Sequence, residues 1–348
     1  MEPTTPPIKL AIVGAGIGGL ALAIGLRKQN VPVTIYEAAS KFDAVGAGIG
    51  LGPNALKAMD LMDSQFARLY DEVKVGNTSP ERVHEQIEIL SASEGFGITD
   101  EWKGGSVGHR DFTRSSAHRK ALLEIMKGLV EEGTVKFCKR VTDIRNVVES
   151  GDKKVEISFE DGETVVVDAV IGCDGIKGMT RKAVLQERYP EEVPAKYLNT
   201  YVYRGITSIE NAKAAIGSFA LDARWFMKEG VGWAMYPISQ GKEVNIVAFI
   251  QDPKPWEGEQ IAKEVAKEDM SKDFEGFDQR LLELLEVSPS LPVKAVRVLI
   301  MAVIRQANAV AAVSSPRHTN VLQSTHLPAW RRRACFKSKP GSGCRSRI

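Results

Sequence analysis

Acidic residues stop at Glu286: the last 62 of the 348 residues carry eleven Lys and Arg but no Asp or Glu, whereas residues 1–286 hold all 44 acids against 35 bases. The formal net charge of +2 therefore hides an upstream balance of −9. Cysteine is scarce as well, and Cys138, Cys173, Cys335 and Cys344 are so scattered that the closest two lie nine positions apart. That spacing suggests neither a disulfide framework nor a zinc site, so no metal is expected and a reducing, cytoplasmic compartment fits. Long apolar runs are missing too. The longest uncharged stretch, between Lys9 and Arg27, has 17 residues, five of them glycine, which falls short of the about 20 apolar residues of a membrane helix. Met1–Lys9 holds one base and one acid, unlike a signal segment. No stable membrane insertion is expected. What remains, 43% hydrophobic and 26% charged residues, is ordinary globular composition with room for one large domain or two medium ones.

Within this composition the first forty residues carry a pattern. Lys9–Val13 (KLAIV) reads as a buried strand, Gly14-Ala15-Gly16-Ile17-Gly18-Gly19 follows, and Leu20–Gln29 has helical composition. In a G-x-G-x-x-G run between strand and helix, the first glycine permits the tight turn and the second lets backbone N–H groups approach a pyrophosphate. The third lets helix and strand pack closely. Gly14, Gly16 and Gly19 take those positions, and the helix N-terminus behind them favours an anion. A second strand, Val33–Tyr36, ends in Glu37, 23 residues after Gly14. A carboxylate there accepts hydrogen bonds from an adenosine ribose and disfavours a 2′-phosphate. Dinucleotide binding follows, with NAD and FAD both open.

Three further segments narrow the choice. Val45–Ala55 (VGAGIGLGPNA) is a second glycine-rich loop, includes Gly50, and leads into a helix. Ser115–Leu123 (SSAHRKALL) puts Arg119 in the first turn of a helix marked by Leu122, Ile125, Met126 and Leu129, with Ser115 or Ser116 as its expected cap. Asp168–Ile176 (DAVIGCDGI) is a strand running into Asp174-Gly175, with Arg181 beyond. Over about residues 8–250 the chain resembles the aromatic-ring hydroxylases, single-component FAD-dependent monooxygenases typified by salicylate hydroxylase.

The resemblance implies that the Gly50 loop lies beside the flavin and that Arg119, in an H-R-x-x-L pattern, reaches the FAD phosphate and ribityl region. It also implies that Asp174 and Gly175 form a D-G motif touching cofactor hydroxyls or backbone, although Gly178 stands where members usually have serine. FAD is the implied cofactor, with NADH or NADPH as co-substrate, and a flavin C4a-hydroperoxide formed with O2 would hydroxylate a phenolic or salicylate-like substrate. The later segments look most like fungal secondary-metabolism members. Tyr203-Arg204-Gly205 and Trp233–Ile238 lie in alternating apolar runs that read as antiparallel strands. The resemblance places them in a sheet that roofs the isoalloxazine ring. There Arg204 is the candidate to pair a phenolate or carboxylate, and Tyr236 to donate to the same oxygen.

The expected fold is α/β: a Rossmann-like FAD-binding domain with a parallel sheet and helices, from residues 1–75 and 105–180, plus an α+β substrate domain with a mixed or antiparallel sheet, from 76–104 and 181–290. The mixed-charge stretch Glu257–Asp273 reads as one solvated helix. Residues 291–348 are expected to be an aberrant basic tail. The family's G-D-A-A-H segment, which this sequence lacks, should follow the substrate domain. Its loss coincides with the loss of acids, as a frameshift or retained intron would produce. The alternative function is then an inactive, truncated flavoprotein remnant that binds FAD weakly or not at all. A nucleic-acid partner is not expected, because the tail has no helical period and no aromatic interleaving beyond Trp330 and Phe336. An NAD-dependent dehydrogenase is disfavoured by the Arg119 and Asp174 segments.

Overall fold

The structure, a computed structural model, describes residues 8–42, 48–93, 95, 105–258, 262–265, 267–286 and 294–300. Strand β1 (Leu10–Val13) leads into α1 (Ile17–Lys28), followed by β2 (Val33–Tyr36), β3 (Gly48–Gly50), α2 (Pro53–Met62) and α3 (Ser64–Asp71). Next come β4 (Glu85–Ser91), β5 (Ser106–Gly108), β6 (Ser116–His118), α4 (Arg119–Gly128) and β7 (Val135–Lys136). A meander of β8 (Val141–Glu149), β9 (Asp152–Phe159) and β10 (Thr164–Val167) precedes β11 (Ala169–Gly172) and α5 (Met179–Leu185). The long β12 (Lys196–Ser208) opens the next unit, with α6 (Ile209–Ile216), β13 (Arg224–Lys228), β14 (Val231–Ile238) and β15 (Glu243–Gln251). Beyond it lie β16 (Ala262–Glu264), α7 (Lys267–Lys272), α8 (Gln279–Glu286) and β17 (Lys294–Ile300). None of the helices among the described residues is long and apolar enough to cross a membrane.

β1 sits inside a four-stranded parallel sheet of order β11-β1-β2-β7. Leu10–Val13 register with Ala169–Gly172 on one side and with Val33–Tyr36 on the other. A parallel strand covered on both faces needs apolar side chains pointing both ways, and consecutive Ala11, Ile12 and Val13 are all buried. Ile12 packs toward α1 and α4 with Leu20, Ile24, Leu122 and Met126, while Ala11 and Val13 pack toward β9 with Val155, Ile157 and Phe159.

The second sheet has eight strands in the order β16-β17-β12-β15-β14-β13-β4-β5. It is mixed, because β13 and β4 pair in parallel while β12, β15, β14 and β13 form an antiparallel series. Its back face is the core of this unit: Tyr203, Trp233, Met235, Ile246 and Ala248 pack against Ala212 and Ile216 of α6 and Leu281 and Leu284 of α8. Because side chains alternate along a strand, Arg204, Ala234, Tyr236, Asn245 and Val247 fall on the opposite face. The α/β class, with a Rossmann-like parallel sheet beside an α+β unit built on a mixed sheet, agrees with the expectation from sequence.

Backbone pairing carries the mixed sheet past the boundaries drawn from sequence at 104 and 290, since β5 pairs with β4 and β17 pairs with β12 and β16. The sequence of β17, KAVRVLI, has the β-branched residues that suit a strand. Residues 301–348, where the rest of the expected aberrant tail falls, lie outside the described residues, as do 43–47. Glu257–Asp273 is not one solvated helix. It contains the edge strand β16 and the six-residue α7, whose Met270 is buried in the core, so pairing and packing override the helical composition.

The loop before β4 is fastened to the sheet by a buried carboxylate. Asp222 Oδ1 accepts from the N–H groups of Thr78 (2.9 Å) and Ser79 (3.0 Å), and Oδ2 accepts from Ser79 Oγ (2.6 Å) and Arg224 (3.1 Å). Removing one partner of such a buried set leaves the others desolvated and unpaired. Asp222→Ala is therefore expected to lower unfolding free energy by about 3–5 kcal/mol. Urea denaturation followed by tryptophan fluorescence checks this, and a change under 1 kcal/mol would refute the assignment.

Candidate functional site

Two chain crossings shape the glycine turn. Gly14 has φ +100° and its N–H donates to Tyr36 O (2.8 Å), while Cys173 N–H donates to Val13 O (2.7 Å). A Cβ on Gly14 would lie 2.5 Å from Cys173 O, and one on Gly19 would overlap Gly14 O. Both glycines are thus demanded by the protein itself. Gly16 is different: it begins α1 without a side-chain cap, and a Cβ there would meet nothing within 4 Å. Its lack of a side chain keeps open the space before the helix N-terminus. Glu37 closes the turn from the other side, Oε2 accepting from Ala15 N–H (2.7 Å) and Oε1 from Ala39 N–H (2.8 Å). Those two bonds aim the carboxylate across the ends of β1 and β2 and leave lone pairs for a hydroxyl.

Asp174 and Gly175 follow β11 at the same edge. Asp174 Oδ2 accepts from Thr180 N–H (3.0 Å), and Oδ1 from the Thr180 hydroxyl. The pair occupies space that two side chains would otherwise need. A Cβ on Gly172 would overlap Thr180 Oγ1, and a Cβ on Gly178 would overlap the Asp174 carboxylate. The glycine at 178, where members usually have serine, is therefore matched to the Asp174 carboxylate that Thr180 holds. Gly175 has φ +73° and faces open space. Beside it, burial and then Asp174 push the Cys173 thiol up.

Arg119 begins α4, as expected, but the cap is neither Ser115 nor Ser116. His118 Nδ1 accepts from Lys120 N–H (3.1 Å), because both serines are spent elsewhere. Ser115 Oγ shares a hydrogen bond with Tyr70 OH (2.7 Å), and Ser116 Oγ donates to Pro237 O (2.8 Å). These bonds place β6 between the two sheets, and β3 pairs with it, Gly50 opposite Ser116 and Gly48 opposite His118. Gly48 N–H donates to Asn245 Oδ1 (2.7 Å). A Cβ on Gly48 would come within 2.7 Å of Ile238 Cγ2 and 2.8 Å of Tyr236 Cε2.

The strand register then brings the sheet residues together. Arg204 lies opposite Val247, and Val247 opposite Ala234, so Arg204 and Tyr236 share the front face two strands and two residues apart. Arg204 is exposed and Tyr236 half-buried. Burial pushes the Tyr236 phenol up, opposed first by Arg114 and then by Arg204. Sequence reasoning missed Arg114. It precedes β6, is 3% exposed, donates to Gln86 O and lies 5.0 Å from the Tyr236 ring centroid. A Cβ on Gly50 would be 3.5 Å from its Nη2. Also missed were Trp225 and Phe249, whose rings meet on the front face with centroids 6.3 Å apart over Gly232, where a Cβ would crowd Trp225 Nε1 at 2.8 Å. The one local signal for them was strand alternation, since Trp225 alternates with Phe226 of the core.

Two features now stand side by side: a Rossmann-type edge where the α1 N-terminus is open and the Glu37 carboxylate is held by two backbone N–H groups, and a mixed sheet presenting arginine, tyrosine and aromatic rings. The first is an arrangement of the dinucleotide-binding type. Known proteins agree. The model of the NAD(P)-binding Rossmann-like domain family matches residues 12–42. An FAD-dependent monooxygenase of Gibberella moniliformis is 35% identical over 293 residues, covering 82% of this chain and 65% of the relative. The 6-methylsalicylate 1-monooxygenase of Aspergillus terreus is 33% identical, covering 80% and 63%. Among solved structures, a salicylate hydroxylase substrate complex superposes with a TM-score of 0.68 at 24% identity, covering 84% of this chain and 68% of that one. By sequence and fold the chain is a relative of the FAD-dependent monooxygenases of the salicylate hydroxylase type, and it spans just under two thirds of the length of these curated relatives.

The Asp174–Thr180 lock makes a prediction of its own. Gly178→Ala forces the carboxylate off Thr180 and is expected to cost about 1–3 kcal/mol by overpacking, whereas Thr180→Ser keeps the hydroxyl and stays within about 1 kcal/mol of the parent. Thermal unfolding of both variants is the check, and equal losses would count against the lock.

Proposed function

We propose that this chain acts as an FAD-dependent monooxygenase that hydroxylates a phenolic or salicylate-like aromatic substrate, with NADH or NADPH as reductant and O2 as co-substrate. The observation that carries the reading is the open space at Gly16. Gly14 and Gly19 are required by the protein's own contacts, but Gly16 is surrounded by nothing that a side chain would strike, so its small size is explained by a ligand approaching the α1 N-terminus. Glu37, already oriented by two backbone N–H groups, accepts a ribose hydroxyl. Gly175 leaves the backbone after Asp174 accessible, and Arg119 at the start of α4 and Gly50 on β3 complete the cofactor-facing set. The residues present fit an adenine dinucleotide, and the relatives point to FAD.

When bound, FAD supplies the hydride acceptance and O2 activation that protein side chains lack. The protein's own share is positioning and electrostatics. Arg204 pairs an anionic oxygen of the substrate and Tyr236 donates to it, which together hold the ring in one orientation. Electron density on a phenolate ring is what makes its carbon nucleophilic, so a cationic front face favours the reactive form. Trp225 and Phe249 present apolar surface there and displace water, whose access would divert the reaction.

The test begins with the purified chain: bound-flavin absorbance, then NAD(P)H oxidation with salicylate or a resorcinol-type phenol. Bound flavin and phenol-stimulated oxidation are expected, and a colourless chain that binds no added FAD would overturn the reading. Two substitutions sharpen it. Gly16→Val should leave the fold intact but weaken FAD binding about tenfold to a hundredfold, since overpacking of a ligand cradle costs ~1–3 kcal/mol. Gly19→Val should instead destabilise the fold itself. Circular dichroism melts and flavin titration separate the two effects.

A further inference from the structure

Among the described residues, two buried guanidinium groups differ in kind. Arg224, 5% exposed, is embedded in carboxylates, pairing with Asp222 (3.1 Å) and with Glu88. Arg114 is buried more deeply, at 3%, yet among the described residues no carboxylate pairs with it. Its contacts are the Gln86 carbonyl and the face of Tyr236, and its Nε has no partner among the described residues. Desolvation lowers its pKa from the ordinary arginine value, but a guanidinium is not deprotonated in a protein, so it stays charged even where a phenol titrates. An uncancelled charge in a low-dielectric seam acts on the polar groups around it, and beyond the Gln86 carbonyl it binds, one of these is the Tyr236 phenol.

We propose that Arg114 is a positioning and specificity-determining residue: stacked against Tyr236, it makes that hydroxyl a donor for a negatively charged oxygen, and so selects aromatic acids and phenolates over neutral phenols. A cation over the negative face of an aromatic ring is held there electrostatically, which fixes the ring plane. It also draws electron density from the ring, so the O–H becomes a stronger donor. The charged groups acting on Tyr236 are Arg114 from the segment before β6 and Arg204 from β12, and both are cations. Tyr70 of α3, which also feels the Arg114 charge, is neutral and hydrogen-bonded with Ser115. Asn245, opposite Tyr236 in the ladder, directs Oδ1 at Gly48 and leaves Nδ2 buried without a partner among the described residues, a second donor for an incoming acceptor. Arg204, being exposed, can be screened by solvent. Arg114 cannot, and its charge remains part of the pocket at any ionic strength.

The proposal rests on the hydroxylase reading for its substrate, so its test has one arm that does not. Tyr236 ionisation is followed by tyrosinate absorbance, with Tyr236→Phe as the subtraction, in the parent chain and in Arg114→Met and Arg114→Lys. The phenol should titrate at higher pH in Arg114→Met, because an opposing cation is gone, and return toward the parent value in Arg114→Lys. In the second arm the dissociation constants of salicylate and of resorcinol are measured on the FAD-loaded protein by flavin absorbance change. Arg114→Met should weaken salicylate at least about tenfold more than resorcinol, with Arg114→Lys recovering most of the difference. An unchanged Tyr236 titration, or equal weakening of both ligands, overturns the proposal. A shifted titration in a chain that binds FAD but neither ligand overturns the hydroxylase reading and the substrate preference with it, and leaves the Arg114–Tyr236 coupling standing.

Discussion

The approach of β3 to the front of the mixed sheet governs the arrangement of everything around it. At Gly48 the backbone comes so near Ile238, Tyr236 and Asn245 that any Cβ would overlap them, and the amide is used at once as a donor to Asn245. No other residue type permits both. Because β3 is held there, β6 is held beside it, and Ser116 ties that pair to Pro237. The β3–β6 ribbon is therefore tied directly to the mixed sheet through backbone groups. Polar residues are trapped along this seam: Arg114, Tyr236 and Asn245.

How much of this was legible in the sequence follows from how local each cause is. Gly14, Gly16, Gly19 and Glu37 were readable because a strand, a turn and a helix in immediate succession determine their relations, and the structure adds which of the glycines the protein's own contacts require. The His118 cap was not readable, since Ser115 and Ser116 are the better capping residues by type. They are withdrawn by Tyr70 and by a carbonyl from a strand about 120 residues away. Thr180 escaped notice for a similar reason: it fills the space beside Gly172 and holds the Asp174 carboxylate that fills the space beside Gly178, and such spaces have no sequence signature. Glu257–Asp273 failed as a helix because β17, distant in sequence, offers its edge to Ala262–Glu264.

Arg114 was the largest omission, and its case is instructive about charge. From sequence it is one base in a polar stretch, GHRDFTRSS, with Arg110 and Asp111 nearby. Those neighbours stay out in solvent and pair with each other, while Arg114 turns inward without a counter-charge among the described residues. A protein can bury such a group only if dipoles and ring faces supply the compensation. The Gln86 carbonyl and the Tyr236 ring do so, and the residual positive potential is directed at the front of the sheet.

The position of that potential is as well defined as the core behind it. Along each strand a front-face residue is flanked by residues buried on the other face or within the ladder: Arg204 by Tyr203 and Gly205, Tyr236 by Met235 and Pro237, Asn245 by Val244 and Ile246, all of them buried. Close-packed cores resist displacement, so the backbone beneath each functional side chain is pinned from behind while only the side chain itself faces the site. Rigid strands set the origin of each group, and the aromatic ring of Tyr236, clamped between Gly48 and Arg114, has its direction set as well. Arg204 lacks such a clamp. Of the two groups proposed for a substrate oxygen, one is therefore preorganised and the other adaptable, an arrangement that would fix where such an oxygen sits while leaving tolerance in the ring that carries it.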